Sequence, residues 1–77
     1  MKAFSVSELR TRRCVWLTLC LLRRGFVSYS EFKARFKVTD RTYYRDLSTL
    51  CSVGMAIESV KGGGRVRLTR INESMLL

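Results

Sequence analysis

The chain contains no histidine and no proline, and its three cysteines have no paired spacing. Without histidine and without a C-x-x-C pair, the usual ligand sets of a zinc site are missing. Only six side chains are acidic, and four of them lie at helix starts or beside an arginine. Because no acid–base pair for catalysis can be identified, we expect no enzyme activity, no catalytic residue, no metal and no cofactor.

The three cysteines, Cys14, Cys20 and Cys51, all fall on apolar positions of expected helices. An odd number of thiols at such positions favours buried free thiols over disulfides. Free thiols are typical of a reducing cytoplasm, and we expect the protein to be located there.

A long hydrophobic run is also missing. The longest, CVWLTLCLL at residues 14–22, contains one polar residue, Thr18, and follows the basic stretch RTRR. This order resembles a signal peptide, but the run ends in two arginines and lacks a small-residue cleavage site. As a helix it would span about 14 Å, less than half of a ~30 Å hydrocarbon core. A buried helix is the better interpretation, and we expect no membrane insertion.

Positive charge is abundant instead. The chain has 15 basic side chains, eleven of them arginine, and six acidic ones, which gives a net charge of +9. Arginine binds phosphate and guanine with two parallel hydrogen bonds. A polyanionic partner therefore explains the composition best, with a phospholipid surface as the competing explanation. The length, 77 residues, predicts a single domain over 1–77.

Hydrophobic periodicity and capping residues predict three helices followed by a β-hairpin. The first helix, 7–24, begins after Ser5 or Ser7 and ends at Gly25; the second, 30–36, follows Ser28 or Ser30. After Gly54 the apolar period changes from 3.6 to 2, which indicates two strands joined by a glycine-rich turn. The expected fold class is α+β, a winged helix-turn-helix, with a third helix at 40–52 and a wing at 55–71.

The third helix is the most informative element. Its sequence, VTDRTYYRDLSTLCSVGM from Val38 to Met55, places Tyr43, Leu47, Leu50 and Cys51 on one apolar face. We expect the Tyr43 ring in the core with its hydroxyl at the surface. The other face carries donors and a flat ring that suit phosphates and base edges: Arg41, Tyr44, Arg45 and Ser48. A basic polar face is typical of a DNA-reading helix, although a merely solvated face gives the same pattern.

The segment Asp40–Leu47, DRTYYRDL, resembles the recognition helix of DeoR-type and WYL-type bacterial transcription regulators. That family's pattern is close to V-S-x-R-T-[aliphatic]-x-R-D-[LI]-x-x-L-x-x-x-G-[apolar]-x-[IV], and the resemblance covers about half of the chain. The matching positions are Val38, Thr39 in place of serine, Arg41, Thr42, Arg45, Asp46, Leu47, Leu50, Gly54 and Ile57. The departures are Tyr43 in an aliphatic slot, and Cys51 and Ser52 where acidic residues are usual.

The resemblance implies that Arg41 and Arg45 enter the major groove of DNA. Tyr44 and Ser48 would lie beside them, and the hydroxyls of Thr39 and Thr42 would donate to phosphate. The alternative for Arg45 is a surface ion pair with Asp46 or Glu31. We expect Asp46 to orient an arginine, because its charge disfavours contact with DNA.

The glycine-tipped hairpin supplies the second expected DNA contact. Lys61, Gly63, Arg65 and Arg67 frame its tip, and as a wing they would meet the phosphate backbone or the minor groove. A flexible tip with solvated charges is the alternative. Five arginines bracket the first helix, and we expect them to be mostly solvated, with one or two near DNA phosphates: Arg10, Arg12, Arg13, Arg23 and Arg24.

The first helix is apolar around most of its circumference, more than the core of so small a domain requires. We expect the surplus to form a homodimer interface, with the 75–77 tail joining it or, alternatively, covering it in a monomer. The interface residues would be Val15, Leu17, Leu19, Leu21 and Leu22.

The sequence therefore predicts a small regulator that binds double-stranded DNA sequence-specifically, from a host or a mobile element, and is nucleoid-associated when bound. Full-length members of the resembling families carry a small-molecule effector domain after the wing. Because this sequence stops at residue 77, we expect no such domain. The alternatives are a winged-helix module that binds protein, and a non-specific nucleic-acid-binding protein.

Overall fold

The computed structural model describes residues 5–62 and 64–72. Three helices are followed by a β-hairpin, and a short extra strand lies between the first two helices, which confirms the predicted fold class. The elements are α1 (Val6–Arg24), β1 (Phe26–Ser28), α2 (Tyr29–Phe36), α3 (Asp40–Ser52), β2 (Met55–Val60) and β3 (Arg65–Ile71).

The helices begin and end where local capping chemistry dictates. The Ser5 hydroxyl accepts the Glu8 amide at 3.2 Å, and the Ser28 hydroxyl accepts the Glu31 amide at 3.1 Å. Helix α1 ends at Gly25, whose amide donates to the Leu21 carbonyl at 2.9 Å and whose φ of 83° turns the chain out of the helix. Such a left-handed terminus favours glycine. The bounds of α1 and α2 differ by one residue from those predicted, and the bounds of α3 coincide with them.

Strand β1 was not predicted. It begins at Phe26, directly after the Gly25 that ends α1. The sheet order is β1-β3-β2, with both pairings antiparallel, so that the second strand of the hairpin is central. The Tyr29 amide donates to the Gly64 carbonyl, and the Leu68 amide donates to the Gly25 carbonyl, each at 2.9 Å. The wing is thereby fastened to the start of α2 and the end of α1.

The core lies where the three helices meet the inner face of the sheet. Every described element contributes at least one buried apolar side chain to it. The buried residues are Leu17, Leu21, Val27, Phe32, Tyr43, Leu47, Leu50, Met55 and Val66. Aromatic rings fill much of this volume: the Tyr43 and Phe32 centroids are 5.1 Å apart, and those of Trp16 and Phe36 are 5.6 Å apart. Rings at these separations stabilise a small core beyond their buried area alone.

Two expected interface residues belong to this core. Leu17 and Leu21 were expected on a dimer surface, but they are 0% and 1% exposed. They occupy the side of α1 that packs on β1 and α3, so neither can contact a second subunit. The other three residues of that prediction, Val15, Leu19 and Leu22, are about half exposed.

The expectation of buried thiols also needs correction. Cys14 and Cys20 are half-buried, but Cys51 is exposed. Cys51 was expected on the buried face of α3, but it lies outside that face. Asp46 belongs to the face instead and is completely buried. The buried face is therefore Tyr43, Asp46, Leu47 and Leu50, at i, i+3, i+4 and i+7. No helix of the described residues is long and apolar enough to cross a membrane.

Candidate nucleic-acid interface

Helix α3 presents one open, basic face. Arg41, Tyr44, Arg45 and Ser48 are all exposed on the side opposite the core, where the sequence placed them. The Tyr44 side chain is 63% exposed, and its ring packs edge-on against Tyr43 with a centroid distance of 5.3 Å. Tyr44 is thus supported from below while its outer face stays open.

The two arginines of this face form no ion pair with an acidic side chain of the described residues. The described residues form three ion pairs, and these join Arg13 to Asp46, Arg24 to Glu31 and Arg67 to Glu58. Both acids that might have neutralised Arg45, namely Asp46 and Glu31, are therefore engaged by arginines of α1. Arg41 and Arg45 keep their donors available to an anion.

The start of α3 adds hydroxyl groups to this face. Thr39 is the N-cap residue, although its side chain makes no capping hydrogen bond. Its hydroxyl lies 3.4 Å from that of Thr42, and the two face the same end of the helix as the free backbone amides. Helix N-termini favour anions, so this end is electrostatically suited to phosphate.

The helix is held against the body of the protein at both ends and in the middle. At its start the Tyr29 hydroxyl donates to Asp40, and this hydrogen bond raises the pKa of Tyr29. At its end the Asn72 amide donates to the Gly54 carbonyl at 2.7 Å. In the middle, Asp46 accepts from Arg13. A surface that is to read base edges needs such fixation, because its side chains must reach fixed positions.

The Arg13–Asp46 pair is both confirmation and correction. Asp46 was expected to orient an arginine, and it does, with the Arg13 Nε 2.6 Å from Oδ2. Arg13 itself was expected to be largely solvated, but its side chain is only 15% exposed. Sequence reasoning missed this partner because the two residues are 33 positions apart. The signal available was the i, i+3, i+4, i+7 spacing that puts a carboxylate on a buried face.

The wing holds its arginines differently. Arg67 donates through Nε to Glu58 at 2.8 Å, across a register pair of β2 and β3. Arg65 lies over the Phe26 ring, with its guanidinium carbon 5.1 Å from the centroid, and Arg24 lies 4.9 Å from the same ring. Lys61 is exposed at the turn, and Gly63 lies outside the described residues. Phe26, which the sequence gave no reason to include, therefore forms a platform for two cations.

One buried side-chain oxygen of the core has no hydrogen-bond partner among the described residues. The Tyr43 hydroxyl was expected at the surface, but it is buried and forms no hydrogen bond with the described residues. Burial raises the pKa of Tyr43 to about 12. Burial, with the nearby Asp46 carboxylate, also raises the pKa of the Cys14 thiol. Within the described part of the chain, no group of three or more cysteine or carboxylate side chains is placed to hold a metal ion.

Comparison with known proteins identifies a family. A family model described as an HTH domain, a helix-turn-helix, matches residues 11–65, which span α1 to the start of β3. No curated protein and no solved structure matches the chain significantly.

Proposed function

The chain belongs to the family of winged helix-turn-helix domains found in bacterial regulators, and from this premise we propose that it binds double-stranded DNA sequence-specifically as a small transcriptional regulator. DNA binding is the function that the family indicates. Sequence specificity is our addition. The observation that carries it is the exposed face of α3, where Arg41 and Arg45 stand outside the three ion pairs of the described residues.

The proposed contacts divide between two elements. On α3, Arg41 and Arg45 would donate to base edges in the major groove, and Tyr44 and Ser48 would contact neighbouring bases or phosphates. Thr39 and Thr42 would donate to a phosphate at the helix start. On the wing, Lys61, Arg65 and Arg67 would meet the backbone beside the reading helix.

The charge favours this proposal over a protein-binding winged helix. A net charge of +9 on 77 residues suits a polyanion, and a protein partner would need a matching acidic surface. A non-specific nucleic-acid-binding protein would also suit this charge. What favours specificity is the fixation of α3 at three points, because binding to the backbone alone does not require it.

Selection from a random duplex library tests the proposal. We expect one sequence motif to be enriched, and the affinity for it to fall steeply with salt as phosphate contacts release counterions. Binding without an enriched motif would leave a non-specific binder. No binding at low ionic strength would remove the proposal altogether.

We further propose that the protein acts as a homodimer joined through the exposed stripe of α1. Val15, Leu19 and Leu22 lie at i, i+4 and i+7 and are about half exposed. Beside them runs a groove of about 560 Å³ between α1 and α3, which reaches Thr49 and Cys14. Two copies related by a twofold axis would bury both stripes and read half-sites about one helical turn apart.

Sedimentation at micromolar concentration tests the dimer. Leu19→Glu should yield a particle of 8.9 kDa, because it places a charge in the interface. Leu9→Glu is the matched control, since Leu9 is also exposed but lines a different groove, with Phe36. Added salt should favour the wild-type dimer by screening two strongly basic chains. A wild-type monomer at high salt would refute this part of the proposal.

A further inference from the structure

The Arg13–Asp46 pair is unlike the other two ion pairs. Its carboxylate is 0% exposed and its guanidinium side chain 15%, whereas the side chains of the Arg24–Glu31 and Arg67–Glu58 pairs are all 40% exposed or more. Exposed pairs of this kind contribute little to folding. A buried pair is also a poor source of stability, because the loss of hydration offsets most of the attraction. The stability of the fold therefore does not explain why this pair is buried.

The geometry of the pair fixes a direction. Arg13 donates through Nε to Oδ2 at 2.6 Å and through a terminal nitrogen to Oδ1 at 3.5 Å. A planar guanidinium that donates twice to one carboxylate fixes the orientation of both groups. Leucine contacts such as those of Leu47 and Leu50 tolerate rotation and sliding, since apolar packing has no directional requirement. The Arg13–Asp46 hydrogen bonds therefore give the contact between α1 and α3 a direction that apolar packing lacks.

The position of Asp46 in α3 links the orientation of the ion pair to the orientation of the exposed side chains of this helix. Asp46 is next to Arg45 in the chain, and it lies between Arg41 and Ser48 along the same thirteen-residue helix. A rotation of α3 about its axis that breaks the pair would displace all of these side chains together. The Tyr43 hydroxyl, one turn earlier on the buried face, has no hydrogen-bond partner among the described residues, so no hydrogen bond from it to those residues opposes such a rotation.

We propose that Arg13 and Asp46 are positioning residues that set the rotation of the recognition helix, and hence the sequence specificity of the protein. This inference rests on the proposed DNA-binding function. It predicts that removing the pair impairs discrimination between DNA sequences more than it impairs binding to DNA in general.

The test uses variants that leave the net charge unchanged. Arg13→Met combined with Asp46→Leu removes one charge of each sign, so the electrostatic attraction to any duplex is preserved. Such apolar replacements of buried pairs are often compatible with folding. Arg13→Gln combined with Asp46→Asn is a second, more conservative double variant. Arg24→Gln combined with Glu31→Gln is the matched control, because it removes an exposed pair that joins α1 to α2.

Affinities are measured for the selected duplex and for random duplex. In the two Arg13–Asp46 double variants we expect the ratio of these affinities to fall about tenfold, within the range for one bidentate base contact. Affinity for random duplex should stay within about twofold, because the number of phosphate contacts is kept. The control should keep the ratio. Arg13→Lys, which retains the two charges but cannot donate twice in one plane, should lose part of it. An unchanged ratio in both folded double variants would show that the pair has a purely structural role.

A second measurement does not depend on DNA. Residual dipolar couplings of the backbone amides report the orientation of α3 relative to α1 in the free protein. We expect the double variants to show a reoriented α3 and the Arg24–Glu31 control to match the wild type. Couplings that fit the wild-type orientation would overturn the inference even if the protein binds DNA as proposed. Reoriented couplings in a protein that binds no DNA would instead refute only the proposed function.

Discussion

The exposed face of α3 and the wing both carry arginines, but they hold them in opposite ways. On α3, Arg41 and Arg45 are exposed and stand outside the ion pairs of the described residues. On the wing, Arg67 is bonded to Glu58 and Arg65 lies over Phe26. The two regions also differ in what is held in place. Helix α3 is anchored through its buried face, whereas Arg65 and Arg67 of the wing are anchored through their own guanidinium groups.

This difference separates two tasks of a DNA-binding surface. Reading a base edge requires a long side chain with free donors on a rigid support. Following the phosphate backbone requires only positive charge at a suitable place, and a guanidinium that is partly engaged still supplies it. The proposed function therefore divides into two parts: specificity from α3 and sequence-independent affinity from the wing.

The largest effect on DNA binding is expected from replacing Arg41 and Arg45 of α3. Arg41→Ala and Arg45→Ala should each cost ~1–3 kcal/mol on the selected duplex if they make bidentate base contacts. Both should cost less on random duplex, so that specificity relaxes. Arg23→Ala is the control, since it removes the same charge from an exposed site on α1. Equal losses on selected and random duplex would mean that α3 only positions the protein.

A smaller and different effect is expected at the wing. Arg65→Ala should weaken binding to all duplexes about equally and reduce the slope of affinity against salt by about 1. Glu58→Gln should do the opposite, because it releases Arg67 and removes a negative charge near the backbone. Fluorescence anisotropy titrations at several salt concentrations measure both slopes. A change in sequence preference with either variant would assign part of the specificity to the wing.

The smallest expected effect on DNA binding is at the buried face of α3. Tyr43→Phe removes a buried hydroxyl that has no hydrogen-bond partner in the described part of the chain, and we expect it to keep or raise the free energy of unfolding, by up to ~1 kcal/mol. The folded-state pKa of Tyr43, about 12, lies above the ordinary value of ~10. Its neutral form is therefore favoured by folding, and wild-type stability should fall as the pH rises from about 10 to 12.

Urea unfolding of both proteins across this pH range checks the Tyr43 prediction. The wild type should lose more stability than Tyr43→Phe, in which only the other titrating groups contribute. Affinity for the selected duplex at neutral pH should be the same in both proteins. Parallel pH profiles would mean that the hydroxyl is hydrated or hydrogen-bonded in solution.

The sequence predicted the elements that local chemistry controls. Thr39 before the helix and Gly54 after it delimit α3. The change in the spacing of apolar residues after Gly54 predicts the hairpin. The exposed face of α3 followed from the same periodicity. These features depend on residues within a few positions of one another, which is why one sequence suffices for them.

The missed features depend on contacts between distant segments. Strand β1 has three residues and exists because it pairs with β3, about forty positions later. The partner of Asp46 is on another helix. Cys51 was expected to be buried and is exposed, whereas Asp46 is buried. Both residues lie at the edge of the apolar face of α3, where the sequence does not show which side is covered. Leu17 and Leu21 could not be distinguished from Leu19 and Leu22 until the side of α1 that packs on the sheet was known.

The most direct test of the central claim is a titration of isotope-labelled protein with the selected duplex, followed by amide chemical shifts. We expect the largest changes on α3 between residues 39 and 48, smaller ones around Arg65, and minimal ones in β2 away from the turn. The salt dependence of the shifts should be steep, as for any contact with phosphates. Changes centred on α1 or on the outer edge of the sheet, with α3 unaffected, would contradict the assignment of α3 as the DNA-reading helix.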